Sequence, residues 1–278
     1  MPKPSASRRD FTAALAGTRF REVRWFAALD STNRYLADEA ITGAAPGLVA
    51  VADEQTAGRG RLGRTWIAPP GASLLVSVLL DGAAPPEERH LVVVAAALAA
   101  IEAVDTSCGF RPRLKWPNDL VVGDRKLAGL LAEAVRGSGA DRRRGHAEGR
   151  SRIDADSIVV GMGLNVDWDA FPADLEATAT ACNREGRTAP REDLLVAWLR
   201  ELDRRLQALV HDGRSSLRAD NVAASATLGR QVRVERATDT LVGHALALTD
   251  LGHLVVRTDD GVEHTVSAGD VIHLRPTA

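Results

Sequence analysis

The stretch Gly58-Arg59-Gly60-Arg61-Leu62-Gly63-Arg64-Thr65-Trp66 decides how this chain is read. Gly58, Gly60 and Gly63 formally satisfy the G-x-G-x-x-G fingerprint, which belongs between a strand and a helix of a dinucleotide-binding fold. The residues that follow, Thr65-Trp66-Ile67-Ala68-Pro69-Pro70-Gly71, cannot open a helix, because paired prolines remove donors and push their neighbours out of the α region. A Rossmann fold is therefore excluded, and so is a Walker-type P-loop, since no Gly-Lys-Ser/Thr ends the run. What remains is a short segment with three arginines and three glycines. Glycine permits close backbone approach and positive φ, and arginine supplies planar, permanently charged, bidentate donors, so the segment suits an anion cradle. A solvated basic hairpin is the plainer alternative.

The flanks place this loop between strands. Leu48 to Ala52 and Leu74 to Leu80 are short apolar runs on either side of it. Upstream, Val23 to Leu29 reads as a strand, and Asp30-Ser31-Thr32-Asn33 supplies helix-capping residue types before a helix to about Ile41. Glu87 to Val104 is alanine-rich and apolar on most faces, as a helix buried against a sheet would be. Leu114 to Val122 and Lys126 to Glu133, joined at Gly123-Asp124, read as a strand pair. Arg136 to Arg152 lacks apolar periodicity and reads as a solvated surface loop rather than a nucleic-acid arm. Ile158 to Val166 is a strand with Gly161 and Gly163 marking a close approach. Leu194, Leu195, Leu199, Leu202, Leu206 and Leu209 define an amphipathic helix over 191–210, and a boundary is expected near residues 213–224. From Leu228 on, alternating apolar runs between turn residues predict a small all-β barrel of about 50 residues.

Composition bounds the function. A chain of 278 residues with 45% hydrophobic side chains can bury a substantial core, and a formal charge of −2 provides no global field for nucleic acid or an anionic membrane. Cys108 and Cys182 have no metal or C-x-x-C spacing and are expected as free, packed thiols of a reducing compartment. The Ser7-Arg8-Arg9-Asp10-Phe11 stretch superficially suggests twin-arginine export, but the apolar segment after it ends at Gly17. The apolar run Leu91 to Ile101 stops short of the ~18 residues that suggest a membrane span. A cytoplasmic protein with a loose basic leader is expected.

Asp30-Ser31-Thr32-Asn33, Gln55, the Gly58 to Trp66 loop, Lys115-Trp116-Pro117-Asn118-Asp119, Arg125-Lys126-Leu127-Ala128-Gly129 and Gly161-Met162-Gly163-Leu164-Asn165-Val166 together resemble, in order, the motif set of biotin protein ligases. The resemblance implies an α+β fold in which helices flank a mixed sheet of the class II synthetase-like kind, followed by a small C-terminal SH3-like β-barrel. It divides the chain into a leader (1–22), a biotin- and ATP-binding catalytic domain (23–222) and the C-terminal domain (223–278). The implied reaction joins biotin and Mg-ATP into biotinyl-5′-adenylate plus pyrophosphate, then passes the biotinyl group to a lysine of a biotin carboxyl carrier domain of an acyl-CoA carboxylase.

By the same resemblance, biotin is bound by Ser31, Thr32, Asn33, Gln55, Arg59, Gly60, Arg61 and Lys126. ATP is bound by Arg59, Arg61, Arg64, Trp66, Asn118, Asp119, Lys126 and Asn165, with Mg2+ near Asp119. Lys126, Arg61 and Asp119 carry the catalysis. Two anions must meet in this reaction, and at ~4 Å their repulsion is about 4 kcal/mol at intermediate dielectric, which fixed cations offset. Asp119 is also a candidate to take a proton from the acceptor lysine. Repressor members of the family carry a winged helix-turn-helix ahead of the ligase domain, whereas 30 residues here precede Ser31 without that pattern, so no operator DNA binding is expected. A monomer or weak homodimer is expected. The rivals are a lipoate ligase or octanoyltransferase, against which both cysteines lie outside every motif, and a non-enzymatic biotin sensor, against which the intact Lys126 and arginine loop argue.

Overall fold

A computed structural model describes residues 9–81, 88–135, 157–211, 213–236 and 239–274. In chain order the elements are β1 (Glu22–Leu29), α1 (Thr32–Ile41), β2 (Leu48–Gln55), β3 (Ser73–Leu80), α2 (Arg89–Cys108), β4 (Arg113–Lys115), β5 (Asp119–Val122), β6 (Arg125–Val135), β7 (Ser157–Asn165), α3 (Cys182–Glu185), α4 (Arg191–His211), α5 (Arg214–Ala224), β8 (Gln231–Glu235), β9 (Thr240–Leu248), β10 (Leu254–Arg257), β11 (Glu263–Val266) and β12 (Asp270–His273). Two compact units divide the chain: Met1–Pro86 with Leu130–Trp168, and Glu87–Gly129 with Asp169–Ala278. Strand β6 passes from one unit to the other at Gly129.

In the first unit, β1 and β2 are parallel and are connected through α1, while β2–β3 and β3–β7 are antiparallel. Parallel neighbours need such a crossover, and α1 closes it by burying Leu36 against Phe26, Leu29, Leu48, Ala50, Ala52, Leu79, Val135 and Val159. All eight residues of β3 are buried. The period of two puts Ser73, Leu75, Ser77 and Leu79 on one face, and the β3–β7 register sets Asn165, Gly163, Gly161 and Val159 opposite them. One end of this face is therefore apolar and packed under α1, and the other carries small and polar groups.

The expected loose leader is corrected for the residues described. Phe11, Leu15 and Phe20 are buried, and Phe11 stacks on Trp25 with ring centroids 6.2 Å apart. Three apolar anchors at this spacing bury enough surface to fix the segment.

In the second unit, β4, β5 and the start of β6 form an antiparallel ribbon, and α2, α4 and α5 pack as a helical layer. Trp198 Nε1 of α4 donates to Ala96 O of α2 at 3.0 Å. Helix α2 runs to Cys108, beyond the apolar run that ends at Ile101, and is long and apolar enough to cross a membrane by length and composition, but it is mostly buried within the protein. The segment 213–224, where a boundary is expected, contains α5, whose buried residues are Leu217 and Asn221. A helix with so narrow a buried stripe leaves little apolar signal in sequence.

Strands β8 to β12 form an antiparallel sheet in the order β11-β10-β9-β8-β12, around Val232, Val234, Ala245, Leu248, Leu254, Val256 and Val271. The run Val262 to Leu274 is broken into β11 and β12 around Gly269 (φ 159°). This antiparallel sheet agrees with the expected small SH3-like β-domain, and among the described residues it is open, with β11 and β12 at its two edges. The Arg136 to Arg152 segment, read as a surface loop, lies outside the described residues.

Cys108 and Cys182 are free and buried, as expected, but they touch: the two thiols share a hydrogen bond. The neighbouring thiol and burial together push Cys182 far above the ordinary thiol range.

Candidate functional site

Helix α1 starts in an unusual way for a run of capping residues. Ser31 is the N-cap but makes no side-chain cap bond. The orphan N–H of Thr32 instead donates to Gln55 Oε1 at 2.7 Å, so the end of β2 caps the helix. Thr32 Oγ1 also donates to Gln55 Oε1 at 3.0 Å. Freed from capping, Thr32 and Asn33 turn inward and are buried with Ser31. Ser77 Oγ of β3 lies 2.7 Å from Thr32 Oγ1 and 2.6 Å from Asn33 Oδ1. Asn33 Nδ2 donates to Glu133 Oε2 at 2.8 Å and to Leu131 O at 3.3 Å. Glu133 Oε1 in turn faces Arg59 Nη1 at 3.2 Å. A polar chain thus runs Gln55, Thr32, Ser77, Asn33, Glu133, Arg59.

Ser77 and Glu133 were not among the sequence candidates. Each is a polar residue within an apolar run, Ser77 in Leu74–Leu80 and Glu133 in Leu127–Val135, and that mismatch was the available signal, because a polar group withdrawn from water needs a partner.

The two strand glycines are explained by what lies over them. A Cβ on residue 161 would lie 2.1 Å from Asn33 Oδ1, and one on residue 163 would lie 2.4 Å from Trp66 Cε2. Trp66 is therefore laid against the bare backbone of β7. Asn165, at the end of that strand, accepts from Ser73 Oγ at 3.2 Å, and Ser73 Oγ accepts from Trp168 Nε1 at 3.0 Å.

The glycine-arginine segment closes on itself. Trp66 N donates to Gly58 O at 3.0 Å, Gly60 N to Arg64 O at 2.7 Å, and Arg64 N to Arg61 O at 3.1 Å. Arg61–Gly63 forms a 3-10 turn in which Leu62 takes φ 55° and Gly63 φ 73°. Left-handed backbone costs about 1–2 kcal/mol at a leucine, and here the Leu62 side chain is also 70% exposed. Strain and an exposed apolar side chain coincide in one loop, which is the pattern of a ligand-handling segment. Arg59 and Arg64 are exposed and Arg61 is half-buried. The segment is a backbone-closed turn that presents arginines.

The second unit holds the other charged cluster. Lys126 Nζ is 2.8 Å from Asp119 Oδ1, with side-chain exposures of 38% and 22%. A bulge in the β5–β6 pair shifts the register from Leu120↔Ala128 to Val121↔Lys126. Because faces alternate along a strand, this one-residue shift puts Lys126 on the face of Val121 and Asp119 rather than the opposite one. The Lys126 backbone is held as well: its N–H donates to Thr178 O at 2.7 Å, and its carbonyl accepts from Thr180 N at 2.9 Å. Asn118 is buried beside them. Trp116 belongs to the core, donating from N to Thr227 Oγ1 and from Nε1 to Gly252 O, both at 3.0 Å. No group of three or more His, Cys, Asp or Glu among the described residues could hold a metal ion.

Of the sequence candidates, Ser31, Thr32, Asn33, Gln55, Arg59, Gly60, Arg61, Arg64, Trp66 and Asn165 fall in the first unit, and Asn118, Asp119 and Lys126 in the second.

Comparison with known proteins bears on these clusters. Residues 25–143 match the Biotin/lipoate A/B protein ligase family, and residues 227–274 match the Biotin protein ligase C terminal domain. The chain is 35% identical over 269 residues to the biotin--[acetyl-CoA-carboxylase] ligase of Mycobacterium tuberculosis, covering 94% of this chain and 92% of that one. It is 32% identical over 251 residues to the corresponding ligase of Paracoccus denitrificans, covering 84% and 92%. In fold it resembles the biotin protein ligase of Aquifex aeolicus, solved in complex with biotin and ATP, with a TM-score of 0.76 at 24% identity over 92% of this chain and all of that one.

Proposed function

Since the chain belongs to the biotin protein ligase family, we propose that it condenses the biotin carboxylate with the α-phosphate of ATP, expelling pyrophosphate, and then passes the biotinyl group to a carrier lysine with release of AMP. The acceptor is the biotin carboxyl carrier domain of an acyl-CoA carboxylase. In this reading Ser31, Thr32, Asn33 and Gln55 recognise the ureido ring. Gln55 Oε1 is already occupied by Thr32, so its amide NH2 is the donor left for the ligand. Buried polar groups of this kind reject analogues that leave them unpaired.

Arg59, Gly60, Arg61 and Lys126 meet the carboxylate end of biotin, and Arg59, Arg61 and Arg64 neutralise the phosphates. Trp66 stacks on the adenine, while Asn165 hydrogen-bonds the adenosine. Asn118, Asp119 and Lys126 serve the α-phosphate, Lys126 acting as the fixed positive charge that is most favourable where negative charge develops.

Asp119 is the one carboxylate assigned to Mg2+. A single acid already paired with Lys126 fits that ion only where phosphates and water complete its octahedron, which is how Mg2+ is commonly held in nucleotide sites. When bound, the ion supplies charge neutralisation on the phosphates. In the transfer step Asp119 accepts a proton from the incoming lysine, which attacks only when neutral.

The functional domains are assigned as 23–222 for catalysis and 223–278 for the C-terminal module, with 1–22 as a leader. We place the enzyme in the cytoplasm, as a monomer or weak homodimer. No repressor role is assigned.

The single observation that carries this reading is the buried Gln55–Thr32–Ser77–Asn33 chain beside a backbone-closed loop of arginines. The test is transfer of labelled biotin to an isolated carrier domain in the presence of Mg-ATP. Label should appear on the wild-type carrier and not on a carrier lacking its acceptor lysine. Label from lipoate alone, or binding without transfer, overturns the reading.

A further inference from the structure

Glu133 joins the two halves of the first unit's polar site, and it does so with both oxygens. Oε2 accepts from Asn33 Nδ2 at 2.8 Å, and Oε1 pairs with Arg59 Nη1 at 3.2 Å. Strand alternation puts Glu133 on the face of Leu131 and Val135, and Val135 belongs to the α1 core. The carboxylate therefore projects from a packed strand rather than a mobile segment.

Its partner geometry has two consequences. A carboxylate and the Leu131 carbonyl are acceptors only, so the Asn33 amide must turn its NH2 toward them and its oxygen toward Ser77. Asn33 Oδ1 then accepts from Ser77 Oγ at 2.6 Å, and Thr32 Oγ1, whose own proton goes to Gln55 Oε1, lies 2.7 Å from the same Ser77 oxygen. The hydrogen-bond direction is thereby set from Glu133 as far as Ser77. At the other end, the Arg59 side chain is 58% exposed and Glu133 30%. A pair so open to water is weak and exchanges readily for another anion.

We infer that Glu133 is a positioning residue that ties the Asn33 end of the buried chain to Arg59, holding the glycine-arginine loop in register until a ligand anion takes over the guanidinium. The inference deepens the proposed function, in which Asn33 and Arg59 both contact biotin.

The experiment follows backbone amide exchange of Gly60, Arg64 and Trp66 in the ligand-free protein. These amides are hydrogen-bonded within the loop. Glu133→Gln should accelerate their exchange roughly two- to fivefold, with Val51, Val76 and Val160 of the central strands unchanged. Arg59→Gln, at an exposed position, should give the same acceleration, and the double variant no more than either. Unchanged loop exchange in Arg59→Gln, or additive effects in the double variant, overturns the inference. So does an acceleration in Glu133→Gln that extends equally to the strand amides. Steady-state adenylation by Glu133→Gln is measured beside it, with a raised KM for biotin and a smaller change in kcat expected. An active wild type whose loop ignores Glu133 rejects the positioning role alone, whereas a loop that responds in an enzyme without biotin-dependent turnover rejects the proposed function.

Discussion

Lys126 Nζ lies 2.8 Å from Asp119 Oδ1 on the face that the β5–β6 bulge gives them both. The lysine is held by backbone bonds to Thr178 and Thr180 that do not involve its side chain. Replacing Lys126 by Ala should therefore leave the melting temperature close to that of the wild type while slowing adenylate formation by at least about 100-fold, the effect of losing one preorganised charge at a developing anion. Pyrophosphate release and thermal unfolding, measured on the same sample, check both halves.

Gly163 is the floor under Trp66. A Cβ there would lie 2.4 Å from Cε2 and 2.8 Å from Cζ2, and β7 is pinned on one side by β3, so the indole has to move. Gly163→Ala should raise the KM for ATP about tenfold or more, equivalent to ~1.4 kcal/mol, and change the KM for biotin much less. Equal effects on both substrates would remove Trp66 from its adenine role.

His273 gives the C-terminal sheet a pH dependence. Its Nδ1 faces Arg230 Nη1 at 3.0 Å, a group that can only donate, so the neutral ring carries its proton on Nε2, next to Thr227 Oγ1 at 3.1 Å. Burial first, then the charges of Lys115 and Arg230, depress its pKa from the ordinary 6.5 to about 4, against a weaker opposing pull from Asp124. A depressed folded-state value means the unfolded chain binds the proton more readily between those limits. Stability from this group is full above about pH 6.5 and falls as the pH drops toward 4, by at most ~3 kcal/mol. Urea unfolding at pH 7 and pH 4.5 should show a larger loss for the wild type than for His273→Gln, which cannot titrate.

Cys108 and Cys182 are the only thiols of the chain and both are buried. Neither should react with an aromatic disulfide reagent in the native protein at neutral pH, and both should react once denaturant is added. Rapid labelling of either thiol in the native state would contradict the packing described here.

Much of this was legible in the sequence. The β1–α1–β2 crossover follows from a β-branched and aromatic run, four capping-type residues and a second apolar run. The two prolines after Trp66 removed the dinucleotide fold before any other evidence was needed. Gly161 and Gly163 announced a close approach, though not that Asn33 and Trp66 make it. Helix α5 was missed because only Leu217 and Asn221 are buried in it. The thiol contact was missed because 74 residues separate its partners. Asp30-Ser31-Thr32-Asn33 has the residue types of a cap, but the cap itself comes from Gln55, more than twenty residues away. Long-range pairings of this kind have no local signature, and the Asn33–Glu133 bond, across one hundred residues, is the clearest case.

The central claim is that arginines of a self-closed loop, together with Lys126, let a carboxylate attack the α-phosphate of ATP. It is tested most directly by pyrophosphate release from the purified protein given biotin and Mg-ATP, with no carrier present. The account predicts a burst of about one pyrophosphate per active site, dependent on biotin and lost in Lys126→Ala. Absence of biotin-dependent pyrophosphate from a folded protein, or an undiminished burst in that variant, would contradict it.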